Sequence, residues 1–217
     1  MRYCALSANI QDVQESISPV KIGLRERKRS QTRTRIQDEA MRLFLERGFE
    51  ATTLDDIAEA ADVSRRSLFH YFGSKEEIVF STKADFPALI AEAIGRRPPQ
   101  EPLLDMVENA FLELAGSHIT EPARNLARLI QDTPALSAGD QAKYEKVERV
   151  LAQALAERKG RPELDIECRV TATAAIGILK LSTQAWLAGN DIGPDTFGRT
   201  AFAALRRVAG QAPDVRE

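Results

Sequence analysis

TLDDIAEAADVSRRSLFHYFGSK, from Thr53 to Lys75, reads as two short helices with a tight corner between them. Thr53 is placed to cap the first, with Asp55 and Asp56 in the opening turn against the positive end of the helix dipole. Leu54, Ile57, Ala58 and Ala61 recur at helical spacing, so one face is apolar. Asp62 falls at the corner, where a residue that tolerates positive φ is needed. Ser64 caps the second helix. That helix carries Arg65, Arg66, Ser67, His70 and Tyr71 on its polar side, with Leu68, Phe69 and Phe72 expected to face inward. Two helices joined by a few residues, the second rich in hydrogen-bonding side chains, form the helix-turn-helix pattern.

Upstream, a helix is predicted from Glu26 or Ser30 to Arg47, with Ile36, Ala40, Leu43 and Phe44 on one face and Gly48 as a left-handed cap. Lys21 to Arg35 holds seven bases and one acid, a local charge of +6, so the rest of the chain carries −8 against a total of −2. A basic cluster beside the motif, on an acidic body, is the electrostatic footprint of a nucleic-acid binder. Residues 1–24 show no sustained periodicity and are expected to be a disordered extension.

Downstream, Ser74 and Glu77 form a capping-box pattern opening a fourth helix that runs to Gly95, and Pro87 must kink or restart it. Pro98, Pro99 and Pro102 then break the chain. Amphipathic stretches follow at 103–117, 122–134, 137–159, 163–187 and 194–208, and none shows strand alternation. The fold class is all-α with about nine helices. An N-terminal three-helix helix-turn-helix domain spans 25–80 and a C-terminal helical domain spans 81–217.

The 217 residues, 43% hydrophobic and 29% charged, are enough to bury a core without metals or disulfides. Cys4 and Cys168 are far apart, which suits a reducing cytoplasm. The longest apolar stretch, Val170 to Ala188, is interrupted by Lys180 and Gln184 and reads as a buried helix, so no membrane partner is expected. With two histidines, no glycine-rich phosphate loop and no nucleophile elbow, the sequence offers no catalytic residues, metal ligands or cofactor motif. The expectation is a cytoplasmic, non-enzymatic protein.

Residues 30–80 resemble the DNA-binding domain of TetR-type transcriptional repressors, through LFLERGFEATT, the IAEAADVS corner and SLFHYFGSKEEI in that order. Two positions depart from the family pattern: Asp62 stands where glycine is usual and Phe69 where tyrosine is usual, removing a hydroxyl that relatives aim at a phosphate. Arg65 and Arg66 are the expected base readers, because a guanidinium fork matches guanine O6 and N7. Ser64 caps their helix, and Ser67 is short enough to touch base or phosphate. The resemblance implies phosphate contacts from Thr53, Tyr71 and Lys75, with His70 in the same role. Arg27, Lys28, Arg29 and Arg33 are expected to attract the DNA backbone, or to reach a minor groove as an arm.

The helix from Glu163 to Leu187 is apolar on two faces and must be covered on two sides. One face, Cys168, Ala172, Ala175, Leu179, Ser182 and Trp186, is assigned with Phe197, Ala201 and Leu205 to a homodimer interface, since the resembled family dimerises through its last two helices. The resemblance also implies an effector pocket in the C-terminal domain, for which Phe86, Ile90, Phe111, Leu114, His118, Leu126, Ile130, Tyr144 and Trp186 are candidates. Residues 128–160 resemble, more loosely, an actinobacterial subgroup that senses fatty acyl-CoA-like molecules. The implied partners are a double-stranded DNA operator, a small-molecule effector and a second copy of the chain. The alternative is an accessory or architectural DNA-binding protein without an effector.

Overall fold

The computed structural model describes residues 23–82, 85–118, 120–162, 165–189 and 194–210, and these form ten helices and no strand. They are α1 (Leu24–Arg47), α2 (Leu54–Ala60), α3 (Arg65–Tyr71), α4 (Lys75–Ser81), α5 (Phe86–Arg96), α6 (Leu103–His118), α7 (Glu121–Asp132), α8 (Pro134–Lys159), α9 (Ile166–Leu187) and α10 (Pro194–Ala209). The tenth arises at Pro87. The ring lies in the first turn of α5, where a missing N–H costs nothing, so the chain restarts there instead of kinking. Pro134 likewise both ends α7 and opens α8. Of the expected extension at 1–24, only Gly23 and Leu24 lie within the described residues, and Leu24 already belongs to α1.

The caps follow local chemistry. Thr53 accepts the Asp56 amide while its own amide donates to the Asp56 carboxylate, closing a capping box. Asp62 adopts φ +49°, and the Val63 and Asp62 amides bond back to Ala58 and Glu59, a Schellman turn on an aspartate. Gly48 has φ +88° but ψ 155°, so it ends α1 at positive φ outside the left-handed helical region expected for it. At α4, Ser74 accepts the Glu77 amide as expected. The Glu77 carboxylate reaches one residue further back than a capping box requires, to the Gly73 amide at 2.7 Å.

Two apolar cores result. The head core joins Ile36, Leu43 and Phe44 of α1 to Ile57, Leu68, Phe72 and Ile78. Leu126, Ile130 and Leu136 also belong to it, so α7 and the start of α8 pack into the head from beyond residue 80. The body core gathers Ile90 and Ile94 of α5, Met106 and Val107 of α6, Leu151 and Leu155 of α8, Cys168 to Ile178 of α9, and Phe202. The proline turn after α5 is pinned to the end of α8: Lys159 donates to the carbonyls of Pro99 and Glu101, and Arg158 to that of Arg97.

Part of the α9 face assigned to dimerisation is covered within the chain itself. Cys168, Ala172 and Ala175 have no exposed surface and Ser182 is buried, because this face packs against its own domain. Leu179, Ala201 and Leu205 are partly buried against the same core. A side chain already covered within one chain adds no area to a second. The face of α9 left open carries Ile166, Val170 and Leu181, each more than half exposed, and Val208 of α10 is exposed as well. Among the described residues no helix is long and apolar enough to cross a membrane.

Candidate nucleic-acid interface and effector cavity

α3 is built as a half-buried rod. Leu68 and Phe72, one turn apart, are sealed in the head core, and Ser64 caps the helix by accepting the Ser67 amide. The outward line carries Arg65, Arg66, Phe69 and His70, all exposed. Phe69, expected to face inward, is 46% exposed. Leu68 and Phe72 set the inward line at a spacing of four, and Phe69 shares its own line with Arg65. That spacing is the sequence signal for its true direction.

The other expected DNA contacts divide into those left open and those already engaged. Arg29 and Arg33 lie exposed along α1, and the Arg33 guanidinium sits 4.6 Å from the centroid of the Phe72 ring. Because α1 begins at Leu24, Arg27, Lys28 and Arg29 are presented on a helix and not on an arm. The Thr53 hydroxyl is engaged twice, accepting from the Asp56 amide and donating to its carboxylate at 2.5 Å. The Thr53 hydroxyl, and after it the Thr53 backbone amide, donate to the Asp56 carboxyl and hold it below the usual carboxylate range. The Ser64 and Ser67 hydroxyls bond to each other at 2.8 Å. Arg65 donates to Asp55 at 2.9 Å. The Lys75 ammonium donates to the Phe49 carbonyl at 2.8 Å and stands over the Phe49 ring, two structural contacts that leave donors over. Tyr71 is half-buried against the head core, edge-on to the exposed His70.

A cavity of about 170 Å³ opens in the body between α5, α6, α9 and α10. Of the candidate pocket residues, Phe86, Phe111, Leu114 and Trp186 line it, and Leu112, Ala115, Ile178, Leu179 and Phe202 complete its apolar wall. Ile90 lies in the body core instead, and Leu126 and Ile130 lie in the head core, because α7 turns its apolar side to the head. Tyr144 stands outside the lining, bonded to Thr183, which does line it, and burial pushes the phenol up to about 12. The His118 side chain lies outside the described residues. Lys180, placed over the Tyr144 ring, donates to Gln141 and does not enter the cavity.

The polar atoms of the lining have defined roles. The Ser182 and Thr183 hydroxyls donate to the Ile178 and Leu179 carbonyls, and of the two only Thr183 is also bonded to Tyr144. Glu108 is paired with Arg206 at 2.7 Å, and Asp195 and Arg199 stand at the exposed rim. Sequence reasoning gave α10 to the dimer and so missed Gly198, Arg199 and Phe202.

A helix-turn-helix head on a helical body with an apolar cavity is the layout of a DNA-binding transcriptional regulator. Residues 36–82 match the profile of bacterial regulatory proteins of the tetR family, and residues 101–210 match that of the MftR C-terminal domain. The chain is 30% identical to MftR of Mycobacterium tuberculosis over 163 residues, 74% of this chain and 82% of MftR. It is 35% identical to the HTH-type transcriptional regulator TcmR of Streptomyces glaucescens over 146 residues, covering 64% of this chain and 65% of TcmR. NalD of Pseudomonas aeruginosa, the secondary repressor of the MexAB-OprM multidrug efflux pump, shares the fold at TM-score 0.61 and 21% identity, over 87% of this chain and all of NalD. The chain belongs to the TetR family, whose members are DNA-binding transcription factors and not enzymes.

Proposed function

We propose that this protein is a homodimeric repressor that holds a palindromic operator with its two α3 helices and is released by a small apolar or acyl-type effector. The observation that carries the reading is the outward line of α3: arginines and a histidine are aimed at solvent from a helix whose other side is locked by Leu68 and Phe72. The open apolar face of α9 supports a second copy as its cover. Ile166, Val170 and Leu181 are large apolar side chains on one exposed line of α9, among the polar Glu167, Arg169, Thr173 and Gln184. Two-fold pairing presents two reading helices about 34–36 Å apart, one turn of DNA.

The cavity supports the effector. At about 170 Å³ it matches a single aromatic ring or a short acyl chain, and it takes the tail, not the head group, of an acyl-CoA. Release requires the effector to favour the state that does not bind DNA. α7 offers a path, since Arg124 donates to the Trp186 carbonyl beside the cavity while Leu126 and Ile130 pack in the head.

The test is a gel shift against the DNA upstream of the protein's own gene with random competitor, repeated with short-chain acyl-CoAs and single-ring aromatics. Sequence-selective binding reversed by one of these ligands is the expected result. Binding without selectivity and without reversal would identify an accessory DNA-binding protein instead.

A further inference from the structure

We infer that Phe69 is a specificity-determining residue that reads a thymine methyl group in the major groove, beside the base reached by Arg65. The inference rests on the assignment of α3 as the reading helix.

Phe69 sits on the outward line, one turn after Arg65 and beside His70, and 46% of its surface is exposed. A phenyl ring has no hydrogen-bonding group, so it cannot hold a phosphate or a polar base edge. The apolar feature that the major groove offers is the C5 methyl of thymine, and phenylalanine is among the side chains that fit it.

The neighbourhood fixes the direction. The Arg65 guanidinium carbon lies 5.7 Å from the Phe69 ring centroid, and its Nη1 donates to Asp55 Oδ2 at 2.9 Å. The Asp55 carboxylate repels phosphates, so a guanidinium tethered to it is better placed for a base edge than for the backbone. The ring and the guanidinium, one helical turn apart at about 5.4 Å, then span roughly one to two base steps. The reading pair is a thymine methyl next to a guanine.

A random DNA library selected with the full-length protein supplies its preferred site, and each thymine of that site is then replaced singly by deoxyuridine, which removes only the methyl. One position per half-site is expected to lose about fourfold in affinity, the worth of one buried methyl. Phe69→Ala, on an exposed position, should fold normally and bind the thymine and uracil versions equally. Phe69→Leu, still apolar, should keep part of the difference. If no thymine in a selected site is sensitive, or if Phe69→Ala is as sensitive as the unaltered protein, the inference is overturned while α3 remains the reader. Selection of no sequence at all would overturn both.

Discussion

The ring of Phe80, in α4, lies directly on Gly139, in α8: a Cβ built at position 139 would stand 2.5 Å from Phe80 Cε2 and 2.7 Å from Cζ. Head and body meet here without room for a methyl group. Gly139→Ala should therefore lower stability by about 1–3 kcal/mol, the usual range for overpacking. Phe80→Leu should recover part of the loss. Urea unfolding of both single variants and the double variant measures the coupling directly.

Leu181→Glu should leave the helical circular-dichroism spectrum intact and reduce the mass in solution from twice to once the 24.0 kDa chain. Ala172→Glu should instead cost the fold, because Ala172 has no exposed surface and a carboxylate there is buried without a partner. Light scattering and thermal melts separate the two. A monomer produced only by Ala172→Glu would restore the other face of α9 to the interface.

Arg66→Ala should cost about 1–3 kcal/mol at the preferred DNA site and relax base preference there, since Arg66 is exposed on the outward line. Lys75→Ala should weaken all DNA sequences alike and flatten the salt dependence by about one ion. It should also lower the melting temperature, because the ammonium bonds to the Phe49 carbonyl. Titrations at several salt concentrations check both.

Gly198 is a helix-interior glycine on the cavity wall, and a Cβ there would lie 3.8 Å from Ser182 Oγ, ordinary contact. Gly198→Ala should raise stability by about 1 kcal/mol through helix propensity. Gly198→Leu projects into the cavity and should abolish the effector response while leaving effector-free DNA affinity unchanged. Thermal melts and the gel shift with effector read the two effects.

Stability should fall in acid. Asp56 is held low by the Thr53 hydroxyl and amide, Glu101 by Arg97 and then Asn109, and Asp165 by the Cys168 amide before Arg161. Each folded value lies below the unfolded one. The stabilisation is therefore complete above the ordinary carboxylate range and is lost as pH falls through the depressed folded values. The melting temperature should hold from about pH 7 to 5 and drop below about 4. Glu101→Gln should make that drop shallower, by differential scanning fluorimetry across pH.

The sequence by itself determined most of the helices and several of their ends. Thr53, Ser64, Ser74, Asp62, Pro122 and Gly160 act within a few residues, through hydrogen bonds and backbone sterics that need no distant partner. It also placed the basic cluster beside the reading helix. Only tertiary structure decided which apolar face meets what. Nothing in the spacing of α9 says that the Cys168–Ala172–Ala175 line is covered by its own domain while Ile166, Val170 and Leu181 stay open. Nor does the pattern of α7 say that Leu126 and Ile130 belong to the head. Apolar periodicity reports that a face must be buried, and the hydrophobic effect is non-directional, so the partner is set by how the helices cross. Phe69 lies between these cases: its direction was legible from Leu68 and Phe72, but its exposure depended on no neighbouring helix of the chain covering it.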